Sequence, residues 1–130
     1  MSLPAARDAL AGLLSGLSVT VADRMPERVQ PPVALILPAD PYVDTDPTEL
    51  PYGMGWVYFD VVLIAAKATN PTQDRSLDDL ITEVLQALYG VSGAITWLPR
   101  TVSRPTDRTL GEQTYLETRV RVRATFRMTT

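Results

Sequence analysis

Residues 56–67 read WVYFDVVLIAAK. Successive side chains of an extended chain point to opposite faces. Val57, Phe59, Val61, Leu63 and Ala65 then share one face, and Trp56, Tyr58, Asp60, Val62, Ile64 and Ala66 share the other. Both faces are largely apolar, the mark of a strand covered on both sides rather than of a half-solvated one. This strand sets the fold: it needs neighbours along its edges and a layer over each face.

The flanking sequence supplies the neighbours. Residues 3–17 place Leu3, Leu10, Leu13, Leu14 and Leu17 at helical spacing, with Ser2 as a cap and Pro4 in the first turn. A short strand is expected around Val19 and Val21, and a buried strand over Val33 to Leu37, a continuous apolar run bounded by prolines. Residues 38–55, PADPYVDTDPTELPYGMG, read as one long connection with four prolines and four carboxylates, Asp40, Asp44, Asp46 and Glu49. After a TNPTQD turn, Leu77, Leu80, Ile81, Val84, Leu85 and Leu88 form a helical stripe from about Leu77 to Tyr89. Ser76 and Asp79 stand at capping-box spacing, and Gly90 is a stop. Ala94 to Leu98 reads as a strand, RTVSRPTDRTLGEQ as a polar linker, and Thr114 to Met128 as the final strand. The expectation is an α+β domain over residues 1–130, a small, mostly antiparallel four-stranded sheet, the short Val19–Val21 segment not counted, with two main helices packed on one face. Two helices cover one face. For the other, a second subunit is the expected cover, and a fold-back of the long loop is the alternative.

The final strand carries a second question. It reads YLETRVRVRATFRM over residues 115–128. Leu116, Val120, Val122, Ala124 and Phe126 point one way, toward the helices. Tyr115, Glu117, Arg119, Arg121, Arg123, Thr125 and Arg127 point the other. Four arginines in a row repel one another. A solvated face is the plain reading. Carboxylates of a partner would relieve the repulsion, because guanidinium pairs bidentately with carboxylate, and a phosphate backbone would relieve it too. On that view Arg121→Glu or Arg123→Glu spoils assembly and leaves the fold intact. Asp40, Asp44, Asp46 and Glu49 are the candidate carboxylates. Arg119, Arg121, Arg123, Arg127, Glu117, Trp56, Tyr58 and Asp60 complete the expected subunit or partner surface.

Composition narrows the chemistry. The chain of 130 residues has formal net charge −3, and it contains no cysteine and no histidine. Serine–histidine–aspartate catalysis, cysteine–histidine catalysis and the usual zinc sites are therefore unavailable. The segment GMG at 53–55 is too short for a phosphate loop and has no following lysine. DPYVDTDPTE lacks the glycine of a calcium loop and carries two prolines. No catalytic, cofactor or metal residues are expected. No run of about 18 apolar residues suggests a membrane span, and the N-terminal segment reads as an amphipathic helix rather than a signal peptide. A negative net charge, few stacking aromatics beside the arginines and no helix-turn-helix, RNA-recognition or zinc signature weigh against a dedicated nucleic-acid binder.

The order of elements resembles a known family. RMPERVQPPVALILPADPYV after an N-terminal helix, a long loop, and FDVVLIAAKATNPTQDRSLDDLITEVLQAL look like the tail terminator proteins of long-tailed bacteriophages, also called minor tail or tail completion proteins. The likeness runs from Leu3 to Phe126 and lies in order, length and texture. It implies a structural, non-enzymatic protein that forms a ring, usually of six subunits, on the finished tail tube. Such a ring ends tube polymerisation and presents a surface to the head-completion or connector protein. DNA passes through its lumen without sequence-specific binding. The implied location is the tail–neck junction of the virion, after assembly in the bacterial cytoplasm. A free subunit can remain monomeric if the tube end templates the ring. Two alternatives stand beside this: another neck, head-completion or tail component, and a nucleic-acid-binding module built on the arginine strand.

Overall fold

The computed structural model describes residues 2–17, 19–22, 31–66, 71–89 and 96–128. In chain order these form α1 (Leu3–Leu14), β1 (Thr20–Ala22), β2 (Val33–Asp44), β3 (Met54–Ala66), α2 (Pro71–Tyr89), β4 (Leu98–Val102), β5 (Thr106–Leu110) and β6 (Gln113–Arg127). The expected Lys67, Gly90 and Ala94 lie outside the described residues. The class is α+β, as the pattern implies, but the sheet has six strands instead of four. They run in the order β1-β2-β3-β6-β4, with β5 on the same outer side of β6 as β4. Every pairing is antiparallel except β1 with β2.

Four boundaries differ from expectation, each for a local reason. α1 stops at Leu14, where Ser15 turns its hydroxyl back to the Gly12 carbonyl at 2.8 Å and Gly16 follows. Its start is capped as expected, the Ser2 hydroxyl accepting from the Ala5 N–H at 3.2 Å. α2 begins at Pro71, so most of the TNPTQD turn is helical and Ser76 lies inside the helix instead of capping it. Proline at a first helical position is pre-set for the turn, and nothing between it and Leu77 breaks a helix.

β2 runs past Pro38 and Pro41 to Asp44. Pro38 pairs with Phe59 and Val43 with Val57, so residues 39–42 bulge out opposite Tyr58. The bulge accommodates a proline that cannot donate to the ladder. Residues 38–55 are therefore half strand, and only residues 45–53 connect β2 to β3. The return strand leaves little room: a Cβ at Gly55 would collide with the Asp44 carbonyl oxygen.

The supposed polar linker holds β4 and β5. β5 and β6 form a hairpin through Gly111 and Glu112, with Leu110 opposite Gln113. Gly111 has φ 64° and no non-glycine residue among the described residues has positive φ, the pattern of a type II′ turn.

The helices cover one face of the sheet. Ala6, Leu10 and Leu14 of α1 and Leu77, Leu80, Val84 and Leu88 of α2 close over Val57, Phe59, Val61 and Leu63 of β3 and Val120, Val122 and Ala124 of β6. The face assignment read from alternation is correct in both strands. Phe59 sits at the centre, edge-on to Tyr42 at 5.5 Å and tilted against Trp97 at 5.7 Å between ring centroids.

The opposite face corrects the expectation of an open apolar surface. Val33, Leu35, Val62 and Ile64 form a second, smaller cluster there, flanked by Ala22, Leu37 and Tyr115, and all four are buried within the single chain. No described helix packs on it. The apolar side chains of this face thus give no reason of their own for a covering subunit.

Candidate functional site

The polar half of that second face is the arginine surface. The β3–β6 register sets it: Ile64 opposes Glu117, Val62 opposes Arg119, Asp60 opposes Arg121, Tyr58 opposes Arg123 and Trp56 opposes Thr125. One carboxylate and two aromatic rings of β3 therefore lie against the arginine row of β6. The repulsion expected along that row is relieved inside the chain.

Asp60 is the hub. It is 6% exposed, and Arg121 grips it in a fork, Nε to Oδ1 at 3.0 Å and Nη2 to Oδ2 at 3.4 Å. Arg119 reaches the same carboxylate, Nη1 to Oδ2 at 3.6 Å, and holds Glu117 with Nε at 3.3 Å. Glu117 also receives Arg108 of β5 at 2.8 Å. A buried carboxylate with two guanidiniums is satisfied in both charge and hydrogen bonding. The hydrogen bond to Asp60, and then the charge of Asp60, hold the Arg121 guanidinium above its ordinary value.

Arg123 has a different environment. Its guanidinium carbon lies 3.9 Å from the centroid of the Trp56 ring, a cation–π stack. Nη1 is 3.5 Å from the Tyr58 hydroxyl and 3.8 Å from Glu49 Oε1. Nε is buried without a hydrogen-bond acceptor. Glu49 also accepts the Trp56 indole N–H at 2.6 Å. Glu49 thus ties the 45–53 connection onto the sheet of its own chain.

That hydrogen bond from Trp56 is the main cause lowering the Glu49 pKa below 4.5, with the Arg123 charge a smaller one. A depressed carboxylate stabilises the fold above its unfolded pKa, and the contribution is lost as pH falls through the folded value. The Trp56 environment is therefore expected to change in acid with a midpoint below 4.5. Glu49→Gln keeps an acceptor oxygen and removes the titration, so its tryptophan fluorescence should lack that step. Identical acid profiles for the two proteins would disprove the link.

The remaining expected residues fall elsewhere. Arg127 is exposed at the end of β6. Asp40 is exposed on the β2 bulge and touches the arginine row only through its charge, which acts on Arg121. Asp44 accepts the Asp46 N–H at 3.1 Å and so serves the turn after β2. Four participants were missed. Arg108 is one. Ser103 is another: its hydroxyl accepts from the Arg119 N–H at 2.9 Å, and its carbonyl accepts from the buried Thr118 hydroxyl. Thr101 and Val102 join Ser103, Asp60, Arg119 and Arg121 around an open depression of about 380 Å³. All four lay in the segment read as linker, and the Gly111–Glu112 turn was the signal that could have found it.

Among the described residues, no group of three or more carboxylates stands close enough to hold a metal ion, and no helix is long and apolar enough to cross a membrane. The arrangement binds guanidinium to carboxylate. No known family model matches the chain, and no curated protein matches its sequence.

Proposed function

We propose that this chain is a structural assembly protein of long-tailed bacteriophages, a tail terminator that forms a ring on the finished tail tube and joins it to the head connector. The observation that carries the reading is the arrangement of elements: two helices on one face of a single mostly antiparallel sheet, in the order helix, strands, helix, strands. The resemblance implies a small α+β protein, and the α+β class is consistent with it. The charge chemistry fits a structural role, since Asp60, Glu117 and Glu49 hold the arginine row in place. In this reading the protein has no catalytic activity, and its partners are copies of itself, the tube protein and the connector protein, at the tail–neck junction of the virion.

A nucleic-acid-binding module would need the arginines free for phosphate. Arg119, Arg121 and Arg123 already have partners in their own chain, which favours the assembly reading over it. Native mass spectrometry and negative-stain imaging across a concentration series, with and without tail tubes, test the proposal. Rings of defined number, or caps on tube ends, are expected. Monomers alone, even with tubes present, would overturn it. Tight duplex DNA binding that falls steeply with salt would favour the module instead.

A further inference from the structure

The two long edges of the sheet differ in charge. One edge is β2. β1 pairs only with Val33–Leu35, so the outer side of residues 36–44 has no strand partner among the described residues. Residues 36–46 contain three aspartates, Asp40, Asp44 and Asp46, and no cation. The other edge is made by β4 and β5, lying end to end along β6. Residues 98–110 contain three arginines, Arg100, Arg104 and Arg108, and one aspartate, Asp107. Arg108 is engaged with Glu117. Arg100 and Arg104 are exposed, and neither has an ion-pair partner among the described residues.

We infer that the acidic β2 edge of one copy docks against the basic β4–β5 edge of the next, head to tail. The occupant is a second copy of this chain, and the inference rests on the ring reading for its presence. Charge sets the geometry. Like edges repel, so a two-fold pairing of the same edge on both subunits is disfavoured, whereas opposite edges attract. A contact between two different surfaces leaves each copy with one edge unsatisfied, and the series ends only by closing into a ring.

The backbone determines the kind of contact. Pro38 and Pro41 interrupt the donors of the β2 edge, and Pro99 with the bulge at Arg100 interrupts β4. Neither edge can extend the other's ladder over any length. The docking is therefore made by side chains. Leu98 and Val102 are exposed on β4 beside Arg100 and supply apolar area on the basic side. On the acidic side, an open hollow of about 470 Å³ adjoins Asp46 and is lined by Pro47, Leu50, Met54 and Met128, among others. Ion pairs between rim residues of this kind steer and register an interface, and salt weakens them.

Two charge reversals and their mixture test the inference. Arg100→Glu/Arg104→Glu makes both edges acidic, and Asp40→Lys/Asp46→Lys makes the β2 edge basic like the other. Each variant alone is expected to lose self-association under conditions where the unaltered chain assembles. The melting temperature should be unchanged in Arg100→Glu/Arg104→Glu and slightly lowered in Asp40→Lys/Asp46→Lys, where the attraction of Asp40 for Arg121 is lost. An equimolar mixture is expected to regain assembly, since each variant presents the complement of the other, and native mass spectrometry should find the two in equal number. Assembly that neither reversal disturbs would overturn the edge assignment and leave the ring reading standing. Loss in both variants without recovery in the mixture would overturn head-to-tail docking. If the unaltered chain never assembles, the ring reading fails and takes this inference with it.

Discussion

Phe59→Ala is expected to destabilise the domain by about 3–5 kcal/mol, the usual result of truncating a fully buried aromatic ring. Phe59 is completely buried at the centre of the helix-covered face. It touches the Tyr42 and Trp97 rings, and the Arg7 guanidinium lies 5.6 Å from its centroid. Truncation would remove contacts from α1, the β2 bulge and the segment entering β4 together. A domain of this size holds only about 5–15 kcal/mol in total. Urea unfolding followed by circular dichroism should show a large fall in midpoint, with Phe59→Leu much milder. A shift of under about 1 kcal/mol for the alanine variant would contradict this packing.

Arg121→Glu is the second large effect, and here the structure reverses the expectation from sequence. Reading the strand alone, the arginine faces outward and its reversal spares the fold. In the folded chain the substitution sets a second carboxylate against Asp60, which is nearly buried, and removes the fork that neutralises it. Breaking a fully buried pair costs about 3–5 kcal/mol. The Arg121 side chain is 38% exposed, so solvent screening lowers the expected loss to about 2–3 kcal/mol. Thermal unfolding of the isolated subunit should show it, with no assembly needed. Asp60→Asn combined with Arg121→Gln should recover most of the loss, because the two substitutions remove the charge conflict together. Full stability in Arg121→Glu would mean that the pair does not form.

The two reversals in the arginine region separate two roles. Changes at Arg121 act within the subunit, through Asp60. Changes at Arg100 and Arg104 leave the internal ion pairs untouched and act on the β4–β5 edge. A screen that reads only assembly would confuse them. Measuring stability and assembly on the same variants keeps them apart.

Much of the architecture was legible from residue pattern. Alternation assigned the faces of β3 and β6, because side-chain direction in a strand depends only on position parity. The leucine stripes of both helices were legible for the same kind of reason, with Ser2 as a cap. Proline was misleading. At Pro38 and Pro41 it suggested a loop, while a bulge let the strand continue. The polar, exposed composition of residues 98–110 hid two strands, since edge strands bury little and so show little apolar signal.

The candidate site divides along the same line. Sequence alone determined that the arginines share one face, that Asp60 lies on the same side of its own strand as Trp56 and Tyr58, and that histidine and cysteine chemistry is unavailable. Tertiary structure decided what the arginines hold. Arg121 meets Asp60 across 61 positions of chain, and Glu49 meets Arg123 only because the 45–53 connection folds over Trp56. Those partnerships depend on the register between β3 and β6. A shift of one residue would turn every arginine to the other face, and a shift of two would give each a different partner. Local periodicity repeats unchanged under the second shift, so it cannot carry the pairing. The packing of Phe59, Val61, Val120 and Val122 beneath the helices selects one register, and with it the partner of each charge.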